Sequence, residues 1–399
     1  MYGLILEGGG AKGAYHIGAY KAIMDMGIEI GGIAGTSVGA LNGAMLVQGE
    51  YEKAYELWYN MTYSRVIEAN DEEIEKIKNG KMSRSDIKNL AGAIKGVIND
   101  GGLDITPLRN LLEEVIDEEK IRNSGKDFGI VTVSLSDLKP VEIYIEDIPK
   151  GMLVDYLIAS AYFPVFKKEK IDGKKYIDGG VYNNLPINLL SDKGYKDLIA
   201  IRTHGVGRAK KFDTKDLNII YISPNEDLGK TLDFESETAR RDLQLGYYDG
   251  IKALRKLKGY KYYIEPERDE EYFLNTLLNL GEDKILEIGQ VLGIENVPYR
   301  RALFEFIMPK ISEILGTDKE NDYEDIVIRF LEILAEKYDI EKFKIYSYDE
   351  FLDIVKKQYK EREIKEDNGG ILAKVVRKVD FLSALNKEET ILNIADIIF

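Results

Sequence analysis

The chain has 399 residues, enough for two domains, and 44% of them are hydrophobic. Its 70 acidic and 55 basic residues give a formal net charge of −15, which argues against a nucleic-acid partner and against adsorption to anionic membranes by bulk charge. The absence of Cys excludes disulfides and thiolate metal sites, and two His are too few for a multi-histidine centre, so we expect no metal and no cofactor.

The first part of the chain alternates predicted strands and helices. Tyr2–Leu6 is a short apolar run without the charged region and cleavage site of a signal peptide, so we predict a strand in a cytoplasmic protein. Apolar residues at helical spacing follow over Ala14–Met26, then a buried strand over Ile28–Ala34 and a helix over Val38–Leu46. Fully apolar strands in this alternation predict an α/β fold whose mostly parallel sheet is covered on both faces.

The next stretch is highly charged, and we read a helical insertion over about 51–101, followed by a helix that begins near Pro107. Such an insertion is more often decoration than a lid, although its place in the chain also suits a cover over a site. Further short strands are predicted at Phe128–Leu135, Val141–Ile145, Asp197–Arg202 and Leu217–Ile222, the first two joined by a turn.

Beyond about Tyr260 the alternation of strands and helices stops. Apolar residues recur there at spacings of three and four with charges between them, which is typical of amphipathic helices. We therefore divide the chain into an α/β domain over residues 1–255 and an all-helical domain over residues 256–399. Nothing in the second segment indicates its role.

A glycine-rich segment, Gly8-Gly9-Gly10-Ala11-Lys12-Gly13, lies between the first predicted strand and helix. Glycines leave backbone N–H groups uncovered, and at a helix N-terminus such groups favour an anion. The anion could be the pyrophosphate of a dinucleotide or the oxyanion of an acyl-transfer intermediate. The spacing of Gly8, Gly10 and Gly13 also fits the dinucleotide fingerprint, so this motif alone does not choose between them.

The second motif is Gly35-Thr36-Ser37-Val38-Gly39, between the second predicted strand and the second helix. This strand–turn–helix setting is the one a nucleophile elbow requires, with Gly35 and Gly39 relieving crowding around the exposed Ser37 hydroxyl. A dinucleotide-binding fold would instead end this strand with an acidic residue, and Glu29 comes too early for that role. The pair of motifs favours a serine nucleophile.

A serine nucleophile needs a base. His16 falls inside the first helix, where a structural role is the better interpretation. His204 follows a predicted strand, and with Ser37 and Asp178 it would repeat the chain order of an α/β-hydrolase triad. One observation argues against that triad. In α/β-hydrolases the serine elbow follows several strands, whereas here it already follows the second predicted strand.

Asp178 is the other candidate base. Asp172-Gly173 reads as a hairpin turn, and Asp178-Gly179-Gly180 ends the returning strand. A strand-end aspartate among glycines can reach a neighbouring seryl hydroxyl without steric obstruction. It can act as a base only if it is partly desolvated and the oxyanion is well held.

The motifs GGGAKG, GTSVG and DGG, in this order, resemble the patatin-like phospholipase family. Three further segments are similar to that family, the last of them to its bacterial members: DITPL at Asp104–Leu108, ASAYFPVF at Ala159–Phe166 and LQLGYYDGIKAL at Leu243–Leu254. The resemblance covers about residues 1–254. It implies a three-layer α/β/α fold, a Ser-Asp dyad without His, and acyl hydrolysis of phospholipids or other lipid esters.

By position, the resemblance implies that Ser37 is the nucleophile, Asp178 the general base, and Gly9 and Gly10 the donors to the oxyanion. Lys12 matches a basic position that contacts substrate phosphate in phospholipases, or it is an exposed lysine of the first helical turn. The remaining motif glycines support these turns: Gly8, Gly13, Gly35, Gly39, Gly179 and Gly180. Glu7 departs from the small polar residue that many members carry before the glycines, which puts the bracing of this loop in question.

We therefore expect a lipid acyl hydrolase, of phospholipase A, lysophospholipase or carboxylesterase type, that acts through an acyl-enzyme. The expected partner is a lipid or other acyl ester, with peripheral membrane contact left open. Three alternatives remain. One is a dinucleotide-binding oxidoreductase built on the first glycine motif, and another is a triad esterase that uses His204. The third is a catalytically idle relative that acts through its helical C-terminal domain, and the intact Ser37 and Asp178 argue against it.

Overall fold

The computed structural model describes residues 1–68, 102–167, 169–317, 322–367 and 387–399. The chain divides into two compact units, Met1–Arg255 and Lys256–Phe399. Most of the predicted helical insertion, residues 69–101, lies outside the described residues.

The first unit is built on a seven-stranded mixed sheet. Along its main path the strands run in the order β4-β3-β2-β1-β6-β7, and β5 also pairs with β3. The pairs among β3, β2, β1, β6 and β7 are parallel, whereas β4 and β5 are antiparallel to β3. The strands are β1 (Tyr2–Leu6), β2 (Ile30–Thr36), β3 (Asp127–Ser134), β4 (Lys139–Tyr144), β5 (Tyr176–Asp178), β6 (Asp197–Ile201) and β7 (Asn218–Ile222).

Both faces of this sheet are covered, because side chains alternate between faces along each strand. On one face Ile5, Ala34 and Val131 form a core with Leu189 and neighbouring residues. The opposite face carries Leu6, Ile33 and Phe128, which lie within 3.8 Å of the position that a Cβ on Gly43 would take. The mostly parallel sheet covered on both faces, expected from the strand pattern, and the three-layer α/β/α fold implied by the family resemblance are both confirmed.

The helices of the first unit largely follow the predicted spacing. The helix near Pro107 begins at Thr106, with its proline in the first turn. The N–H group that proline lacks would have no acceptor within the helix at this position, so no hydrogen bond is lost. The described helices are α1 (Ala14–Asp25), α2 (Val38–Val47), α3 (Tyr51–Tyr59), α4 (Thr106–Val115), α5 (Glu118–Arg122), α6 (Leu153–Ser160), α7 (Ile187–Asp192) and α8 (Ser236–Arg255), and short 3₁₀ turns occupy Gly10–Gly13, Tyr63–Arg65 and Gly179–Val181.

Glycines bring α1 and α8 into close contact. A Cβ on Gly18 would lie 1.9 Å from the carbonyl oxygen of Leu243, and one on Gly246 would lie 2.2 Å from that of Tyr15. The Tyr15 hydroxyl also donates a hydrogen bond to Asp249 at 3.0 Å. The segment LQLGYYDGIKAL thus has a packing role, because its glycines let the two backbones touch.

The second unit is mainly helical, with a core that includes Phe273, Ile285, Leu331 and Phe351. It also contains a two-residue parallel pair, β8 (Tyr263–Ile264) with β9 (Ile345–Tyr346), which the helical periodicity did not predict. Its helices are α9 (Glu270–Leu278), α10 (Glu282–Val291), α11 (Tyr299–Ala302), a π turn at Leu303–Ile307, α12 (Met308–Leu315), α13 (Tyr323–Lys337), α14 (Tyr348–Asp367) and α15 (Lys387–Ile398). Among the described residues of the whole chain, no helix is long and apolar enough to span a membrane.

Candidate active site

Strand register brings Ser37 and Asp178 together. β2 pairs with β3 as far as Thr36, which lies opposite Val131. β5 pairs antiparallel with β3 and ends at Asp178, opposite Thr132, the next residue of β3. Because β4 occupies the other edge of β3, the ends of β2 and β5 meet on the same edge. The residues at these two strand ends therefore face each other although they are far apart in the sequence.

Ser37 has the backbone conformation of a nucleophile elbow. Its φ is 55° and its ψ is −129°, a region that residues other than glycine rarely adopt. The neighbouring glycines are required by space: a Cβ on Gly35 would lie 2.3 Å from the backbone of Gly39, and one on Gly39 would lie 2.2 Å from the Leu6 carbonyl oxygen. The sharp turn between β2 and α2 thus depends on both glycines.

The Ser37 hydroxyl donates a hydrogen bond to Oδ2 of Asp178 at 2.7 Å, and both residues are buried. The other carboxylate oxygen, Oδ1, accepts a hydrogen bond from the backbone N–H of Gly180 at 2.7 Å. Burial raises the pKa of Asp178 to about 6, although both hydrogen bonds act in the opposite direction. This carboxylate is oriented and far more basic than an exposed aspartate.

The N–H groups of Gly9 and Gly10 are available to an anion. In the described part of the chain neither group has an acceptor, whereas the flanking N–H groups of Gly8 and Ala11 bind the carbonyl oxygens of Asn184 and Thr231. Gly10 has φ +60°, and a Cβ there would lie 2.2 Å from the Thr231 carbonyl oxygen, so the position requires glycine. Both glycines line the same cavity as Ser37.

Glu7 braces this glycine loop through hydrogen bonds to the segment after β6. Its buried carboxylate accepts hydrogen bonds from the backbone N–H groups of Thr203 at 2.8 Å and His204 at 3.0 Å, and it pairs with the Arg202 guanidinium at 3.2 Å. The Thr203 hydroxyl in turn donates to the Gly8 carbonyl oxygen at 2.8 Å. Glu7, the residue that departs from the family pattern, therefore connects the loop after β1 to the loop after β6.

Ser160 is a site residue that the sequence analysis missed. Its hydroxyl accepts a hydrogen bond from the backbone N–H of Ser37 at 2.8 Å and donates one to the Val131 carbonyl oxygen at 2.7 Å. It thereby holds Ser37, the central residue of the elbow, against β3. Ser160 lies in the quoted segment ASAYFPVF, but no spacing rule connects it to a serine 123 positions earlier.

Neither histidine lies against the Ser-Asp pair. His204 is exposed, and its side chain does not line the cavity that contains Ser37. His16 is buried in α1, where desolvation lowers its pKa to about 3 and its Nδ1 lies 3.3 Å from the Asn42 amide nitrogen. The geometry joins Asp178 directly to Ser37.

Lys12 also lies away from the cavity lining. It is half-buried in the 3₁₀ turn. Burial raises the pKa of Asp242 in α8 to about 7, and the positive charge of Lys12 acts to lower that pKa.

The supporting glycine Gly179 packs closely against β3, since a Cβ there would lie 2.2 Å from the Val131 carbonyl oxygen. In the part of the chain that the structure describes, no cluster of His, Asp and Glu could hold a metal ion.

A cavity of about 690 Å³ opens above the pair. Its walls are mostly apolar, with Leu41, Met45, Leu57, Trp58, Met61, Leu108, Leu111, Leu112, Val115, Phe163, Phe166, Leu232 and Phe234 among the lining residues. Ser37, Asp178 and the two glycines are among its polar lining residues. Among the described lining residues the charged ones are Asp178 and Arg208. The cavity is therefore a mostly apolar chamber whose lining includes the hydrogen-bonded pair of Ser37 and Asp178.

The sequence of this chain is similar to that of known proteins. The profile of the family described as Patatin-like phospholipase matches residues 4–191. Neuropathy target esterase sws of Drosophila melanogaster is 27% identical over 321 residues, which are 73% of this chain and 19% of that protein. Lysophospholipase NTE1 of Eremothecium gossypii is 28% identical over 308 residues, 73% of this chain and 18% of that protein.

The chain thus spans about a fifth of the length of these curated relatives. Among solved structures, VipD from Legionella pneumophila is similar with 14% identity and a TM-score of 0.38, covering 100% of this chain and 91% of that one, a score too low to carry an argument. The profile match contains the glycine loop, the serine elbow and the DGG turn. On this match, residues 4–191 of the chain are similar to the patatin-like phospholipase family.

Proposed function

We propose that this chain hydrolyses carboxylic esters of lipids, with Ser37 as nucleophile and Asp178 as general base. The observation that carries the proposal is the 2.7 Å hydrogen bond from the Ser37 hydroxyl to the buried Asp178 carboxylate in the lining of a mostly apolar cavity. The apolar walls suit an acyl chain, and relatives named as an esterase and a lysophospholipase support a lipid ester as substrate.

In the first half of the reaction, Ser37 Oγ attacks the ester carbonyl carbon while its proton passes to Asp178. The carbonyl oxygen becomes an oxyanion, which the N–H groups of Gly9 and Gly10 stabilise. The C–O bond to the alcohol then breaks, and Asp178 returns the proton to the leaving alkoxide. The product of this half-reaction is a Ser37 acyl ester with its chain in the cavity.

The second half repeats the same steps with water. Asp178 takes a proton from the water molecule as it attacks the acyl-enzyme, and the same N–H groups hold the new oxyanion. Collapse of this intermediate expels Ser37, which regains its proton from Asp178, and releases the carboxylic acid. The buried position of Asp178 helps both halves, because a pKa near 6 brings the base closer to the pKa of the group it must deprotonate.

Labelling with a fluorophosphonate probe and hydrolysis of a short-chain ester test this proposal on wild type, S37A, D178N and H204A. We expect S37A to lose labelling, and S37A and D178N each to lose about a thousandfold or more of the hydrolysis rate. H204A serves as the matched control and should keep both. Full activity in S37A would refute the proposal, and a loss in H204A equal to that in D178N would replace the dyad by a triad.

The dinucleotide-binding alternative predicts a different result. A nicotinamide cofactor would raise the melting temperature of such a protein, because a ligand that binds only the folded state stabilises it. We expect no shift of the melting temperature here. The glycine loop lines the same cavity as Ser37, so in our proposal its N–H groups bind the oxyanion of an ester and not a pyrophosphate. A saturable shift with the cofactor would favour the alternative.

We further propose that the cavity mouth contacts lipid surfaces peripherally. Val181 and Val206 line the cavity and are themselves exposed, at 43% and 81%. Such apolar rim residues favour contact with a lipid surface without a charge requirement. Co-sedimentation with phosphatidylcholine vesicles should fall in V206D, with hydrolysis of a water-soluble ester retained. Equal sedimentation of V206D and wild type would contradict this contact.

A further inference from the structure

Arg208 has no role in the acyl-transfer steps, yet it lies at the reactive cavity. It follows β6 in the segment that faces the glycine loop, and it lines the cavity together with Ser37 and Asp178. In an open α/β sheet, ligands bind at the carboxyl ends of strands where neighbouring connections diverge. The connection after β1 leads to β2 and the connection after β6 leads to β7, on opposite sides of the β1–β6 pair. Arg208 therefore lies where a ligand is expected.

The backbone of Arg208 is held in place. Its N–H donates a hydrogen bond to the Gly180 carbonyl oxygen at 2.8 Å, and its carbonyl oxygen accepts one from the Asn184 N–H at 2.6 Å. The preceding Gly207 packs so closely that a Cβ there would lie 2.6 Å from the Asn184 side chain. Arg208 is thus anchored to the same turn that carries Asp178.

The charge of Arg208 is uncompensated among the described residues. Two neighbouring cations are neutralised: Arg202 pairs with Glu7 at 3.2 Å, and Lys210 pairs with Glu142 at 3.0 Å. Within the described ranges no ion pair or side-chain hydrogen bond involves the Arg208 guanidinium, which is exposed. An arginine at the mouth of an apolar cavity is therefore available to an anionic group of a ligand.

We infer that Arg208 binds the phosphate group of a phospholipid or lysophospholipid substrate, an inference that rests on the proposed function and names its substrate class. A guanidinium can donate two parallel hydrogen bonds to a phosphate, which gives both affinity and orientation. The acyl chain would occupy the apolar chamber, with the scissile ester at Ser37 and the phosphate on the leaving alcohol. Lys12, the position implied by the family resemblance, does not line the cavity.

The test compares two esters with the same acyl chain, decanoyl lysophosphatidylcholine and monodecanoylglycerol, for wild type, R208Q, R208K, K12Q and K211Q. In R208Q we expect kcat/KM for the phosphate ester to fall by about 10- to 100-fold, mainly through KM, while the glycerol ester is nearly unaffected. R208K, which keeps the charge without the planar fork, should be intermediate. K211Q removes a neighbouring exposed charge and should change neither ester.

A binding measurement separates this inference from the proposed function. Calorimetric titration with decyl phosphocholine and decyl maltoside, both below their micelle concentrations, should show that R208Q weakens binding of the phosphocholine alone. Wild type that binds phosphocholine through Arg208 but hydrolyses neither ester would refute the proposed function and leave the phosphate site standing. Unchanged phosphocholine binding in R208Q, an equal loss on both esters, or a selective loss in K12Q would each overturn the inference.

Discussion

Asp178 connects the chemistry of the site to pH. Two features of its surroundings compete: burial disfavours the carboxylate, whereas the hydrogen bonds from Ser37 and Gly180 favour it. Desolvation is the larger effect, so the pKa rises to about 6. In the mechanism that we propose, the carboxylate must be ionised to accept the seryl proton, so the ionised form is the active one in that mechanism.

We therefore predict that kcat/KM for a neutral ester rises with pH and levels off above a pKa of about 6. The sign follows from the raised pKa, because protonation of Asp178 below that pH removes the base. The measurement is a pH–rate profile under subsaturating substrate, with a stability check at each pH. A profile that stays flat down to about pH 4, the range of an exposed aspartate, would contradict this assignment.

Ser160 positions the elbow and does not touch substrate by this geometry. Replacing it with Ala leaves the Ser37 N–H and the Val131 carbonyl oxygen without their partner. We predict that S160A lowers kcat with little change in KM, and lowers the free energy of unfolding by about 1–3 kcal/mol.

S134A is the control for S160A, because Ser134 is also buried on β3 but its hydroxyl bonds to Asp137, away from Ser37. Unfolding curves and steady-state kinetics of both variants decide the question. If S160A and S134A lose stability equally and both keep wild-type kcat, Ser160 has only a structural role.

At the scale of elements, β5 and the contact between α1 and α8 show how a few residues have large effects. β5 contains only three residues, yet it occupies the edge of β3 directly beyond the end of β2. A shift of its register by one residue would turn Asp178 to the other face of the sheet. The Asp172–Gly173 turn, where both residues have positive φ, sets up this return strand as the Asp-Gly pair predicted.

The contact between α1 and α8 depends on Gly246. We predict that G246A lowers the stability of the first unit by about 1–3 kcal/mol, because a Cβ there would collide with the Tyr15 backbone and the gain in helix propensity is smaller. The control is Q244A, an exposed position on the same helix. Thermal unfolding measures both, and G246A as stable as Q244A would show that the helices can move apart freely.

At the scale of the whole molecule, the cavity belongs to the first unit. The described residues that line it fall between Gly9 and Phe234, and they come from the end of β5 and from the connections after β1, β2, β4, β5, β6 and β7. The second unit, Lys256–Phe399, has its own hydrophobic core. We propose that residues 1–255 are the catalytic domain and that residues 256–399 are a separate domain.

This division predicts that a fragment of residues 1–255 folds and hydrolyses a water-soluble short-chain ester as the full chain does. Circular dichroism establishes folding, and the fluorophosphonate label on Ser37 counts active sites. The fragment carrying S37A is the control for background hydrolysis. A folded fragment that neither labels nor turns over would mean that residues 256–399 are needed to complete the site.

The local sequence determined much of this protein. Glycine spacing, strand–turn–helix context and the Asp-Gly pairs act over a few residues, and they predicted the elbow at Ser37, the loop at Gly9 and Gly10, and the turn at Asp178. The alternation of apolar segments predicted the mostly parallel sheet, because burial on both faces leaves a direct trace in hydrophobicity. The choice between His204 and Asp178 as partner of Ser37 stayed open at that level.

Only the tertiary structure decided which distant groups meet. The pairing of β2 and β5 on one edge of β3 joins Ser37 to Asp178, and the packing of α6 supplies Ser160. The same folding places Arg208, and not Lys12, at the cavity. Contacts of this kind arise between residues more than a hundred positions apart, where their identity depends on strand register and packing and leaves no local pattern in the sequence.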